Sequence, residues 1–168
     1  MNQSNQSNHS PVSGTAAKLG AVLFVLWGIL HIWVGFEGIT QYLSTGANGL
    51  WTFMTGGSKV PRTAFVHTTD ATTAFAHAQL LVNYCIDVAG YGVLGLVVGW
   101  MIWTQASWVG YLIGVLVIGI CDLAFSFSLL LSGVIEPGFG AVVGPIIWLL
   151  ALLVTPFGMP KLGKSPSN

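Results

Sequence analysis

The stretch "AKLGAVLFVLWGILHIWVGFE", residues 17–37, decides the fold class of this chain. It contains one lysine, one histidine and one glutamate among residues that are otherwise apolar or small. A helix needs about 20 such residues to cross the roughly 30 Å hydrocarbon core of a bilayer. Because lipid offers no partner for backbone N–H and C=O groups, the run predicts a transmembrane helix that pairs those groups internally.

Three more apolar runs follow, at about residues 79–103, 107–132 and 140–157. The short links "TQAS" and "GVIEPG" predict that consecutive helices in this part are antiparallel neighbours. The composition agrees, with 54% hydrophobic and 6% charged residues, whereas a soluble domain has about 25% charged residues. We therefore predict an all-α integral membrane protein, folded as a four-helix transmembrane bundle over residues 17–158.

The remaining segments are polar or mixed. Residues 1–16 open with the low-complexity run "MNQSNQSNHS" and predict a disordered tail. Residues 38–78 form a long loop, in which "NGLWTFMTGG" could lie in the membrane interface as a partly amphipathic helix. Residues 159–168 predict a short polar C-terminal tail.

Lysines and arginines indicate the orientation in the membrane. Four spans place both termini on one side, together with Lys18, Lys161 and Lys164. The opposite side holds Lys59 and Arg62. The excess favours cytoplasmic termini and an exoplasmic long loop. The net charge is zero and no basic stretch is present, so no nucleic-acid partner is expected.

The ionisable residues within the spans fall at one level. From the helical rise, His31, Asp87 and Asp122 lie about 4–6 Å from the middle of their spans, each towards the long loop. Asn83 lies one turn from Asp87, and Ser126 one turn from Asp122. Charged groups at this depth are usually paired and face the bundle interior or a wet cavity. The sequence therefore predicts a buried polar cluster with His31 between the two aspartates.

Three roles are open for this cluster: a structural network that fixes helix register, a ligand or catalytic site, and a path for protons or ions. The candidates for catalysis are His31, Asp87, Asp122 and Glu37. The candidates for ligand binding are His31, Asn83, Asp87, Asp122 and Ser126. His67, Asp70 and His77 have no standard metal-binding spacing, so no metal site is predicted, and the cofactor is left unknown.

Three short motifs resemble the EXPERA domain family of four-helix membrane proteins, which includes sterol isomerases and sigma-2-type receptors. They are "GILHIWVGFEG" in the first span, "GICD" in the third and "PIIW" in the fourth. The resemblance implies that His31 and Glu37 form an acid pair, and that Asp122 and the aromatic Trp148 line a ligand pocket. The chain departs from the family pattern in a longer histidine-to-glutamate spacing, in the missing second-span glutamate and in Pro145, which replaces an asparagine.

Two functional hypotheses follow. In the first, the chain is a non-catalytic membrane protein, either an accessory subunit that binds other membrane subunits or a binder of a small lipophilic ligand. In the second, it is a membrane enzyme that acts on a lipid, sterol-like or isoprenoid substrate. There His31 would be the general acid/base, and Asp87 and Asp122 would tune it.

Overall fold

The computed structural model describes residues 13–161, and the predicted polar tails lie outside it up to residue 12 and from residue 162. The described part is helical, and its one β-type pairing is an isolated bridge between Gly56 and Ile135. Four helices are long and apolar enough to cross a membrane: α1 (Thr15–Met54), α2 (Ala71–Gln105), α3 (Trp108–Leu130) and α4 (Phe139–Gly158). The predicted all-α fold with four long apolar helices is confirmed.

Helices α1 and α2 are longer than the apolar runs from which they were predicted. α1 continues to Met54, and α2 already begins at Ala71, so much of the predicted loop 38–78 is helical. Hydropathy marks only the apolar part of a helix, whereas the polar extension of α1 still makes helical hydrogen bonds. Thr40 and Ser44 also donate their hydroxyls to carbonyls one turn earlier. α1 kinks at Gly46, whose φ of 69° glycine adopts without strain.

Small residues bring α1 and α2 into close contact along their length. A Cβ atom added to Gly92 would lie only 2.6 Å from the carbonyl oxygen of Gly28. Farther along the helices, a Cβ atom on Gly35 would collide with the carbonyl oxygen of Cys85. Such contacts let the two backbones touch, which is a common way for apolar helices to associate in membranes. The pair forms the long hairpin on which α3 and α4 pack.

Helix α3 is not a regular α-helix. Its segments Gly114–Ile118 and Ser126–Leu130 are π-helical, and the α-helical segment Gly119–Phe125 lies between them. Trp148 of α4 donates its indole N–H to the carbonyl of Gly114 at 3.0 Å, which attaches α4 to α3. The contacts between α2 and α3 lie mainly in the part of α3 that ends at Ile118. Beyond that residue the two helices make few close contacts.

Backbone contacts tie the connecting segments together at both ends. After α1, Gly57 N–H donates to Val134 O at 3.0 Å, and Lys59 N–H donates to Gly133 O at 2.8 Å. Arg62 adds an exposed ion pair with Glu136 at 2.7 Å. We call this arrangement the loop clip, formed by residues 56–62 and 133–136. At the other end Ser13, which was predicted to lie in the disordered tail, is buried and donates to the carbonyl of Trp103 at 2.7 Å.

Candidate functional site

A cavity of about 380 Å³ lies between the four helices, on the side of the loop clip. Each helix lines it with residues from one face: residues 27–34 of α1, 84–91 of α2, 121–129 of α3 and 140–145 of α4 contribute. Most of these side chains are apolar. The polar ones are few, and they are His31, Tyr84, Asp87, Tyr91, Cys121, Asp122 and Ser128.

Asp122 is the most deeply buried acid of the described residues, with 3% of its surface exposed. It stands on the α-helical segment between the two π-helical segments of α3. Its Oδ2 atom accepts a hydrogen bond of 2.8 Å from the indole N–H of Trp27. A buried carboxyl group without a partner would be costly, so the bond to Trp27 fixes the group inside the bundle.

His31 lies one turn beyond Trp27 on α1 and stacks on its indole, with ring centroids 3.7 Å apart. Its Nδ1 atom lies 2.8 Å from the carbonyl oxygen of Trp27. Because a carbonyl oxygen only accepts, Nδ1 carries the hydrogen and the ring orientation is fixed. Nε2 therefore turns towards Asp122, at 3.7 Å from its Oδ1 atom. That separation is too long for a hydrogen bond, so Nε2 and Oδ1 do not satisfy each other.

Asp87 lines the same cavity from α2, but it is exposed and makes no ion pair with His31. Among the described residues, Arg62 and Glu136 form an ion pair, and the imidazole of His31 lies beside the carboxyl group of Asp122. The Oδ2 atom of Asp87 accepts a hydrogen bond of 2.9 Å from Asn83, one turn earlier. The structure thus brings His31, Asp87 and Asp122 to one cavity, with His31 against Asp122 rather than between two aspartates.

Four other candidates from the sequence lie outside the cavity lining, and the first is Asn83, which bonds to Asp87. Glu37 accepts a hydrogen bond of 2.7 Å from Gln41, its neighbour one turn on. Ser126 starts the second π-helical segment, and Ser128 lines the cavity instead. The wider π turn shifts the register of the residues that follow Phe125. Trp148 packs its ring against Gly119 and serves the contact between α3 and α4.

Sequence reasoning missed Trp27, which organises the polar end of the cavity. Its signal was present, because residues four apart share a helix face and Trp27 precedes His31 by four positions. Tyr84, Tyr91 and Cys121 were also missed as lining residues. The first two lie one turn to either side of Asp87, so a search of its helix face would have found them.

A second cavity, of about 270 Å³, lies in the region of the predicted long loop and contains His67 and His77. The aromatic rings that line it pack on one another. The ring centroids of Trp51 and Phe65 are 5.1 Å apart, and those of Trp51 and His77 are 6.0 Å apart in a T-shaped arrangement. Asp70 instead caps α2 by accepting from the backbone N–H of Thr73 at 2.7 Å. Among residues 13–161, no group of three or more His, Cys, Asp or Glu side chains could hold a metal ion.

The chemistry of the larger cavity is that of an apolar chamber with a polar end. Nε2 of His31 and Oδ1 of Asp122 are the atoms left free by the contacts with Trp27. They can hydrogen-bond a polar group on a ligand, or pass a proton to or from it. No known protein family, curated protein or solved structure matches this chain. The functional assignment therefore rests on the chemistry of the cavity.

Proposed function

We propose that the chain is an integral membrane protein whose helices cross the bilayer. The outer faces of the helices support this, because large apolar side chains cover them. Trp33 is 55% exposed and Ile120 is 65% exposed, and many similar residues surround them. Water would solvate these apolar side chains unfavourably, whereas lipid chains would cover them.

We further propose that the protein binds a small lipophilic ligand in the cavity between the four helices. The observation that carries the proposal is the cavity itself, about 380 Å³ of mostly apolar wall that ends at His31 and Asp122. Protein interiors are close-packed and contain few voids larger than a water molecule. Small-molecule sites are typically about 300–1,000 Å³, with apolar walls and a few placed polar groups.

The ligand that fits has an apolar body and one polar head group. The body would lie against side chains such as Leu30, Val34 and Phe125. The head would lie at the polar end, where Nε2 of His31 and Oδ1 of Asp122 lack hydrogen-bond partners. A lipophilic-ligand binder is also what the resemblance to the EXPERA family implies. For an accessory subunit without a ligand, we would instead expect a bundle whose interior is filled by side chains.

A photoreactive long-chain alcohol that carries a diazirine and an alkyne tests the proposal, because it is the simplest molecule with an apolar body and one polar head. In proteoliposomes, irradiation should attach it to peptides that contain cavity residues, and excess unlabelled alcohol should compete. Ala141→Phe, which fills the cavity from α4, should abolish this labelling. Ile146→Phe, at an exposed site of α4 outside the lining, is the matched control.

Labelling that is uncompeted, or equal in Ala141→Phe and Ile146→Phe, would show adsorption to the lipid-facing surface and contradict a ligand site. Melting temperatures of the two variants should match that of the wild type within a few degrees. This comparison confirms that loss of labelling reflects a filled cavity and not an unfolded protein.

A second candidate function is acid/base catalysis on the bound lipid. One observation favours it: the Trp27 carbonyl fixes the tautomer of His31 and directs Nε2 into the polar end, beside Asp122. An oriented imidazole next to a carboxyl group is a common arrangement for proton transfer. Membranes that contain the protein, incubated in D2O, should then incorporate deuterium into a lipid, and His31→Gln should stop it. Equal incorporation in the variant would rule catalysis by His31 out.

A further inference from the structure

The cavity is not enclosed equally by all four helices. Towards the loop clip, α2 and α3 have few close contacts beyond Ile118. The cavity lies at this level, since it is lined by residues 121–129 of α3 and 84–91 of α2. The backbones of α2 and α3 therefore separate alongside it. We call this separation the gap, and the side chains of Tyr91 and Cys121 approach each other across it.

Two exposed cavity residues, Asp87 of α2 and Ala124 of α3, point away from α1 beside this gap. On α2, Cys85 faces α1, because Cβ atoms added to Gly35 and Gly38 would meet it. At 3.6 residues per turn, Asp87 is turned by about 200° from Cys85. On α3, Asp122 contacts Trp27 of α1, and Ala124 is likewise turned by about 200° from Asp122. Both Asp87 and Ala124 line the cavity and are exposed, so they stand at its outer edge.

The opposite wall is held in place. The loop clip fixes the link between α3 and α4 through the backbone bonds of Gly57 and Lys59. Below it, α4 is bonded to α3 through Trp148. The edge between α2 and α3 is thus one side on which exposed residues of the cavity lining reach the outer surface of the bundle.

The polar groups at this edge restrict the kind of molecule that can use it. Asp87 offers a carboxylate oxygen that accepts hydrogen bonds, since Asn83 occupies only its Oδ2 atom. Within residues 13–161, no lysine or arginine lines the cavity, so a phosphate head group would find no cation there to bind it. A head group that donates a hydrogen bond and carries no negative charge fits both Asp87 at the edge and the polar end of the cavity at His31 and Asp122.

We propose that the cavity is loaded sideways from the bilayer, through the gap between α2 and α3, and that its ligand is a neutral lipid with a hydroxyl head group. Asp87 receives the hydroxyl at the gap, and His31 and Asp122 receive it at the polar end. The identity of the ligand rests on the function proposed above, whereas the gap can be tested without any ligand.

Cys121 is a natural reporter for the gap, because it lines the cavity while the buried Cys85 does not. Proteoliposomes are treated either with N-cyclohexylmaleimide, which dissolves in the bilayer, or with a sulfonated maleimide confined to water. Peptide mapping by mass spectrometry then reports each cysteine separately. We expect the bilayer reagent to modify Cys121 and leave Cys85 unmodified, and the water-confined reagent to modify neither.

Variants on α3 locate the route. Ala124→Phe should slow the modification of Cys121 several-fold by blocking the gap. Leu123→Phe, at a neighbouring position that is 47% exposed and does not line the cavity, should leave the rate unchanged. Modification from water, modification by neither reagent, or equal rates in the two variants would overturn the proposed route.

Protection by lipids tests the ligand class, even where Ala124→Phe folds poorly. A long-chain alcohol added to the bilayer should protect Cys121, whereas a lysophosphatidic acid should not. Asp87→Leu should weaken the protection by the alcohol, measured against the modification of Cys121 in the same variant without alcohol. Equal protection by both lipids would overturn the hydroxyl assignment. If Cys121 is modified from the bilayer but no alcohol binds, the route stands and the proposed function fails.

Discussion

At the scale of single residues, Trp27 positions both ionisable groups at the polar end of the cavity. Its indole N–H holds Asp122, its carbonyl orients His31, and its ring stacks on the imidazole. The sequence pointed to His31 and Asp122 because charged groups are rare in apolar helices. The sequence did not indicate Trp27, because tryptophan is common in apolar helices. Its role becomes visible only when the partner of its indole N–H is known.

The contact between His31 and Asp122 leads to a prediction on stability. In a double-mutant cycle with His31→Ala and Asp122→Ala, we expect a coupling of about 0.5–3 kcal/mol in the free energy of unfolding, as for residues in contact. Unfolding of the purified protein by sodium dodecyl sulfate measures it. A control cycle of His31→Ala with Glu37→Gln should be additive within about 0.5 kcal/mol, because these residues share no contact. Additivity in the first cycle would mean that His31 and Asp122 are not partners.

At the scale of the helices, the sequence predicted which segments are helical better than where they end. The predicted bounds of the third and fourth spans lie within two residues of α3 and α4. α1 and α2 run well past their predicted spans, since hydropathy does not register a polar helix that continues outside an apolar run. The π-helical segments of α3 could not be predicted either, and they explain why Ser128 rather than Ser126 lines the cavity.

The close contact of α1 and α2 predicts different effects for two glycines of α2. Gly92→Ala should lower the melting temperature clearly, because the added Cβ atom would lie 2.6 Å from the Gly28 carbonyl. Gly90→Ala is the matched control, since nothing lies within 4 Å of the added atom, and alanine favours the helix by about 1 kcal/mol. Thermal unfolding in detergent compares them. Equal losses would argue against backbone contact between α1 and α2.

The start of α2 predicts a pH effect outside the apolar part of the helix. Interactions with the side chain and the backbone N–H of Thr73 lower the pKa of Asp70 below its ordinary value of 3.8. A lowered folded-state pKa means that the cap contributes stability above the unfolded-state pKa and loses it as the pH falls through the folded-state value. The NMR shift of the Thr73 amide should therefore titrate with a midpoint below 3.8, and Asp70→Asn should abolish the titration. A midpoint at or above that value would contradict the cap.

At the scale of the whole molecule, the sequence accounts for one polar level in an apolar bundle but not for the cavity. Helical rise alone placed His31, Asp87 and Asp122 at similar depths. Whether a bundle encloses an empty space depends on how side chains from four helices pack together, and a single chain's periodicity does not contain that information. The space beside His31 also depends on Gly144, where a Cβ atom would lie 2.9 Å from the imidazole.

The proposed orientation in the membrane gives a further prediction. With cytoplasmic termini, the exposed Ser58 within the loop clip lies outside the cell. Ser58→Cys, in a background without Cys85 and Cys121, should react with a membrane-impermeant maleimide in intact cells. A cysteine in place of Lys161 should react only after permeabilisation. The reverse pattern would place the loop clip in the cytoplasm and overturn the orientation that the lysine and arginine count favours.

We propose above that the cavity beside His31 and Asp122 holds a lipophilic ligand. The most direct test is an electron-density map of the protein purified from its own membrane into lipid nanodiscs. We expect continuous non-protein density in the cavity, with its polar end next to Nε2 of His31 and its body directed towards the gap between α2 and α3. A cavity that has collapsed onto its own side chains, or that contains only separate water molecules, would contradict it.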